Sequence, residues 1–178
     1  MKNREQQVIN AYKLRLRQVT VCDLELLRTW RNSSEIRKNM LSQSIISTAE
    51  QKKWFQKISI QQKNQQAFHF VVEYKDKPVG YANFNYENRQ TGLYIGEEKY
   101  RGTILAFCLA LALLDFVFFQ LCEKELEAIV LSQNQAAIRF NKKLGYQIVS
   151  EIEDIVTMHL TKERYLQGKN ELKKIIRI

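Results

Sequence analysis

The chain has 178 residues, 45% hydrophobic and 26% charged, which suits one compact domain whose core needs neither a disulfide framework nor a structural metal. A formal net charge of +9 favours an anionic partner. Cys22, Cys108 and Cys122 are odd in number, widely spaced and set among apolar residues. They read as reduced core residues of a cytoplasmic protein, with no CxxC pair and no metal-ligand spacing.

The opening residues are basic but lack a following apolar run, so no secretory signal is expected. Alternation in YKLRLRQVT (12–20) predicts a strand. CDLELLRTWRNSSEIRKNM predicts a helix with Asp23 as N-cap and Leu24, Leu27 and Trp30 on one face. STAEQKKWFQKISIQ predicts a second helix. Ser47 or Thr48 caps it, Glu50 completes a capping box, and Trp54, Phe55 and Ile58 form its apolar face. AFHFVVEY and KPVGYANFNYE predict strands joined by a KDKP turn, and RQTGLYIGE predicts a third short strand.

KYRGTILAFCLALALLDFVFFQLC (99–122) is long enough for a membrane span of about 20 residues. Asp115 argues against a span, since a charge costs about 3 kcal/mol at a bilayer centre. Gln120 and the flanking strands argue the same way, and a helix covered on all sides by one domain is also apolar all round. The segment is expected to be a core helix. LEAIVLS then predicts a strand, NQAAIRFNKKLGY a helix, and YQIVSEIE and DIVTMHLT paired strands. The expected order is β-α-α-β-β-β-α-β-α-β-β in an α/β fold with a mixed sheet. It occupies one domain over 1–160, followed by a basic helical tail over 161–178 for docking on a partner or, in a homodimer, on a second copy.

At the junction before the long helix, Gly102 permits a tight turn and the first helical N–H groups lack internal acceptors. Those donors, the positive end of the helix dipole and Arg101 together make a site for a pyrophosphate. An ordinary turn explains the same residues taken alone.

The layout from TGLYIGEEKYRGTILA through NQAAIRFNKKLGY resembles the acyl-CoA-binding half of the GNAT N-acetyltransferase superfamily. That resemblance implies a central splayed sheet and acetyl-CoA as cofactor. The family's Arg/Gln-x-x-Gly-x-Gly/Ala loop falls on Arg101, Gly102, Thr103, Ile104, Leu105 and Ala106, with Ile104 where glycine is usual. Its second motif falls on Asn134, Ala137, Lys143, Gly145 and Tyr146. Asn134 would lie beside the pantetheine arm, and Gly145 would end the helix in a left-handed turn. Leu93, Tyr94 and Ile95 would line the cofactor on the central strand, with a backbone N–H around Tyr94 to Gly96 polarising the thioester oxygen. Asn141 stands where many members carry a tyrosine acid, so Tyr94 or water supplies the proton, or the thiolate leaves unprotonated.

LLRTWRNSSEIRKNMLSQSIISTAEQKKWF is similar to the opening of nucleotide-sugar N-acetyltransferases, especially those of the pseudaminic-acid pathway. Ribosomal-protein N-terminal acetyltransferases begin comparably. The resemblance implies acetyl transfer to a small-molecule amine, a nucleotide-linked 4-amino-sugar, with a protein N-terminus or a catalytically weak acyl-CoA-binding domain as alternatives. Trp30, Arg31, Asn32, Arg37 and Met40 are the expected substrate contacts, with core packing the other reading of Trp30 and Met40. Asn83 and Asn85 share a strand face that would line the acceptor groove. His69, Glu73, Glu87 and Glu97 are the candidate bases. Lys and Arg are scattered and form no nucleic-acid-binding signature, so no nucleic acid is expected as partner.

Overall fold

The computed structural model describes residues 7–176. Residues 1–6 and 177–178, the ends of the expected domain and of the expected tail, lie outside the described residues. An eight-stranded mixed sheet carries the fold. In chain order its strands are β1 (Val8–Ala11), β2 (Leu14–Gln18), β3 (Ala67–Tyr74), β4 (Lys77–Asn85), β5 (Gln90–Ile95), β6 (Glu125–Leu131), β7 (Gln147–Ile152) and β8 (Ile155–Thr161). Across the sheet they run β1-β2-β3-β4-β5-β6-β8-β7. The helices are α1 (Leu24–Asn32), α2 (Ser34–Arg37), α3 (Thr48–Lys63), α4 (Leu105–Asp115), α5 (Gln135–Leu144) and α6 (Lys162–Ile176).

Strand alternation sorts side chains onto two faces. Phe68, Phe70 and Val72 of β3 join the larger core, with residues of α4, α5 and α6. Val71 faces the smaller core, with residues of α1, α2 and α3.

The strand expected over 12–20 is β2 and spans Leu14–Gln18. Tyr12 and Lys13 both have positive φ and turn the chain between β1 and β2. Neither residue is the glycine or asparagine that would mark such a turn, so the alternation conceals it. The first helix divides. Ser33 is extended, at φ −60° and ψ 140°, and its hydroxyl donates to the Trp30 carbonyl, which separates α1 from α2. Asp23 occupies the N-cap position of α1, as expected, but its side chain makes no capping bond to that helix. Its carboxylate accepts from the Thr20 amide and hydroxyl, so the chain enters the helix through a short 3₁₀ turn over Val21–Asp23. At α3 the capping box is present: Ser47 accepts from the Glu50 amide, and Glu50 accepts from the Ser47 amide.

The apolar helix is α4, continued by a π turn over Phe116–Gln120. Leu109 to Leu113 are fully buried, and no described helix is long and apolar enough to cross a membrane. Asp115 accepts from the Tyr12 hydroxyl at 2.6 Å, the Tyr165 hydroxyl at 2.7 Å and Lys169 at 2.6 Å. One carboxylate thereby ties the β1–β2 turn and α6 to α4. Tyr165 and Leu172 of α6 are buried in the larger core, so the basic tail helix packs on its own chain, while Leu166 and Ile175 of the same helix stay exposed. Among the cysteines only Cys108 is a core residue. Cys22 and Cys122 are exposed, because the 3₁₀ turn and the end of the π turn that carry them lie at the surface.

A partly buried ion network joins β2, β3 and the start of α1. Arg17 pairs with Asp23 at 2.8 Å and with Glu73 at 2.7 Å, and Glu73 also takes Arg15 at 2.8 Å. Burial pushes the Asp23 carboxyl up, but the hydrogen bonds from Arg17 and Thr20 outweigh it and leave it below the usual carboxylate range. The stability it contributes is therefore present above the carboxylate's unfolded pKa and is lost as pH falls through the lowered folded value. Asp23→Asn should cost about 2–3 kcal/mol at pH 7 and flatten the acid limb of stability, read by urea melts from pH 7 to pH 3.

Candidate active site

β5 and β6 are parallel neighbours joined by a single backbone bridge, Gln90↔Glu127. Beyond it the strands part and leave a cleft of about 620 Å³ between them. Both strands line it, together with residues of α5 and of the loop after α2.

Which β5 amides face the gap follows from the ladder. Gly96 N–H donates to Val79 O across to β4, and Glu127 N–H donates to Arg89 O across to β5. In an antiparallel pair the bonding residues alternate, so Tyr94 bonds β4 while Leu93 and Ile95 turn their amides toward β6. The expected donor region, Tyr94 to Gly96, shifts to take in Leu93 and keeps only Ile95. The amides of Tyr94 and Gly96 are taken up by β4, and the open-edge donors are Leu93, which lines the cleft, and Ile95.

The loop before α4, residues 101–106, does not itself line the cleft; in it Gly102 has φ +69° with open space where a Cβ would stand. Arg101 folds back, its guanidinium donating to Gly96 O at 2.5 Å and Ile95 O at 3.4 Å, and so ties the end of β5 to the loop. Thr103 accepts from the Leu105 amide, while the amides of Gly102 and Ile104 have no acceptor among the described residues. Ile104 lies at φ −58°, a conformation that needs no glycine, and its side chain is 48% exposed. The substitution therefore strains nothing and leaves its amide in place. Leu105 is buried, and Ala106 is half-buried against the larger core.

On α5, Asn134 caps the helix by accepting from the Ala137 amide at 3.1 Å, and Gly145 closes it at φ +106°. Asn134, Ala137 and Asn141 line the cleft. Asn141 donates its amide to the Met158 sulfur at 3.7 Å. Lys143 does not line it: it is exposed, its ammonium 5.8 Å from the Phe107 ring centre. Free amides at the loop and along β5, with a through-sheet gap between them, fit an extended carrier that has a pyrophosphate at one end and a thioester at the other.

The smaller-core face forms the other end of the cleft, where Arg31, Met40, Asn83 and Asn85 line it. Arg31 gives one N–H to Ser42 O, and its buried Nη1 has no partner. Gly92 makes room for Asn83, whose Oδ1 lies 2.5 Å from where a Cβ would be. Three expected contacts are placed elsewhere. Trp30 is buried with its indole against Gly96, which any Cβ would strike at 2.1 Å. Asn32 bonds both the amide and the carbonyl of Ile46, pinning the loop before α3. Arg37 does not line the cleft.

The candidate bases also stand back from it. His69 is buried behind Tyr81, its Nδ1 2.6 Å from the Tyr81 hydroxyl and its Nε2 without a partner. Burial lowers it to about 4. Glu73 is held by its two arginines, and Glu87 and Glu97 do not line the cleft. Glu35 is the carboxylate that does line it among the described residues. Lys38 holds it below the usual range at the exposed rim. The motif reading did not single out Glu35, Asn39, Ser42 or Thr91, and it named Tyr146 as a motif position without a role; the Thr91 and Tyr146 hydroxyls lie 3.4 Å apart at the closed end of the gap.

Because burial disfavours the His69 imidazolium, its share of stability is full above pH 6.5 and is lost as pH falls toward about 4. His69→Gln should remove a dependence of about 2–3 kcal/mol across that window, followed by chemical denaturation.

Residues 13–147 match the acetyltransferase (GNAT) domain family, and the chain belongs to it. It is thereby an acetyl-CoA-dependent N-acetyltransferase by class. No curated protein matches the sequence significantly. Among solved structures, the fold is similar to apo FdhC, a nucleotide-linked sugar GNAT, with 22% identity, a TM-score of 0.77, and 93% of this chain and 96% of that one covered. It is similar to spermidine N-acetyltransferase from Vibrio cholerae in complex with CoA and spermine, with 20% identity, TM-score 0.74, and 86% and 98% covered. It is also similar to RimL, a ribosomal L7/L12 alpha-N-protein acetyltransferase in complex with coenzyme A, with 14% identity, TM-score 0.74, and 87% and 98% covered.

Proposed function

We propose that this chain transfers the acetyl group of acetyl-CoA to the primary amine of a nucleotide-linked amino-sugar. The observation that carries the acceptor is Arg31. Its guanidinium lines the acceptor end of the cleft with one buried nitrogen unpartnered, and burial pushes its pKa down. A buried cationic donor without an acceptor is costly, and a diphosphate or sugar carboxylate entering the cleft would satisfy it. Asn83 and Asn85 add amide groups suited to sugar hydroxyls, and the net charge of +9 draws in anions rather than polyamines. The fold-level likeness to a nucleotide-linked sugar GNAT agrees with this acceptor.

In the reaction, the loop amides of Gly102 and Ile104 hold the pyrophosphate, and the Leu93 amide hydrogen-bonds the thioester oxygen as charge grows on it. Asn134 and Ala137 border the pantetheine arm. Holding amine and thioester together lowers the barrier by several kcal/mol, on the order of 7 when orientation is good. A second acceptor class, a peptide N-terminus, draws support from Glu35, a carboxylate at the rim that could receive an ammonium group.

The test is release of free thiol from acetyl-CoA against UDP-4-amino-sugars, peptide N-termini and spermidine in parallel. The amino-sugar nucleotides should give the highest kcat/KM. Arg31→Met should raise the KM for them about 10²-fold with kcat little changed. A preference for spermidine, or an Arg31→Met variant with unaltered KM, would remove the anionic-acceptor reading.

A further inference from the structure

Position 141, where the family resemblance anticipates a phenol, carries an amide that cannot give up a proton to a leaving sulfur. Two other phenols line the cleft, on opposite sides of the sheet. Tyr94 lies on the acceptor side, stacked on Tyr81 with ring centres 5.4 Å apart and packed against the smaller core. Tyr146 lies on the cofactor side, in the larger core with Ala137 packed against it, just past the Gly145 turn that ends α5. Its ring is 4% exposed, and its hydroxyl has one partner, Thr91 Oγ1, at a long 3.4 Å. Such a bond is weak and leaves the phenolic proton free to reorient toward a better acceptor. Thr91 lies next to Gln90 of the bridging pair, so the hydroxyl sits at the closed end of the gap. Burial holds this phenol at about 12, protonated at neutral pH.

We propose that Tyr146 is a catalytic residue, the hydrogen-bond donor that stabilises the departing sulfur of coenzyme A, in place of the tyrosine missing at 141. The inference rests on the acetyl-CoA reading above. As the amine nitrogen bonds the acetyl carbon and the C–S bond breaks, the sulfur keeps the electron pair of that bond and accepts the hydrogen bond of the Tyr146 phenol, which keeps its proton. The nitrogen releases one proton to solvent, and the thiolate takes one from solvent as coenzyme A leaves. The net transfer moves one proton from the amine to the thiol. Asn141, alongside on α5, is held on the Met158 sulfur.

Contact with the sulfur is readable without turnover. Calorimetric binding of coenzyme A and of its desulfo analogue at pH 9, to the wild type and to Tyr146→Phe, isolates the phenol–sulfur term. Tyr146→Phe removes one oxygen and keeps the buried ring. It should weaken coenzyme A about tenfold and leave the desulfo analogue unchanged. With an amine acceptor, kcat should fall about 10²-fold while the KM for acetyl-CoA holds. Equal loss of both ligands, loss of neither, or a kcat within threefold of wild type would overturn the assignment. A wild type that binds neither ligand would overturn the acetyl-CoA reading as well, a pattern distinct from lost discrimination.

Discussion

One backbone bridge, Gln90↔Glu127, decides where this sheet stays closed and where it opens. Side chains staple that point: Gln90 reaches Glu127 at 3.2 Å, and Arg89 and His159 both bond Glu125. Past the staple, β5 and β6 diverge, and the backbone donors of Leu93 and Ile95 are left without a strand partner. Unpaired main-chain groups away from water are costly, so a persistent gap of this kind is a binding surface in waiting. The α4 crossover makes the gap geometrically sound, since parallel strands need a long connection and that helix occupies the larger-core face.

The two faces of the sheet then take different tasks. The larger-core side offers Asn134, Ala137 and Tyr146 along a carrier path, and the smaller-core side offers Arg31, Met40 and Asn83. Two glycines of β5 and its end keep the second side in register. Gly92 lets Asn83 lie across the strand, and Gly96 lets Trp30 press on its backbone. Trp30 therefore acts through packing, by fixing α1 and hence Arg31, one residue further along. The Arg17 network and the Asp115 hub hold the two halves against this opening from opposite sides.

Local chemistry was readable wherever it was written in adjacent residues. The Ser47–Glu50 capping box was legible from spacing alone, and the left-handed turn at Gly145 from the motif that carries the family resemblance. The apolar stretch around Asp115 read correctly as a core helix because its neighbours were strands. What was hidden depends on distant partners. The Tyr12–Lys13 turn carries no glycine or asparagine, and the exposure of Cys22 and Cys122 depends on where two helix ends surface. Thr91 and Tyr146 are 55 residues apart and meet only because the sheet splits between them. His69, chosen for its chemistry, lies one layer behind the cleft, where Tyr81 and Trp54 enclose it.

The account stands or falls on the open edge of β5. Amide hydrogen exchange resolved at Leu93 and Tyr94, with and without saturating acetyl-CoA, addresses it directly. Leu93 should exchange freely in the unliganded protein and slow by at least about tenfold on binding, with Tyr94 slow in both states. A Leu93 amide already as protected as Tyr94 without ligand, or unchanged at saturation, would contradict it.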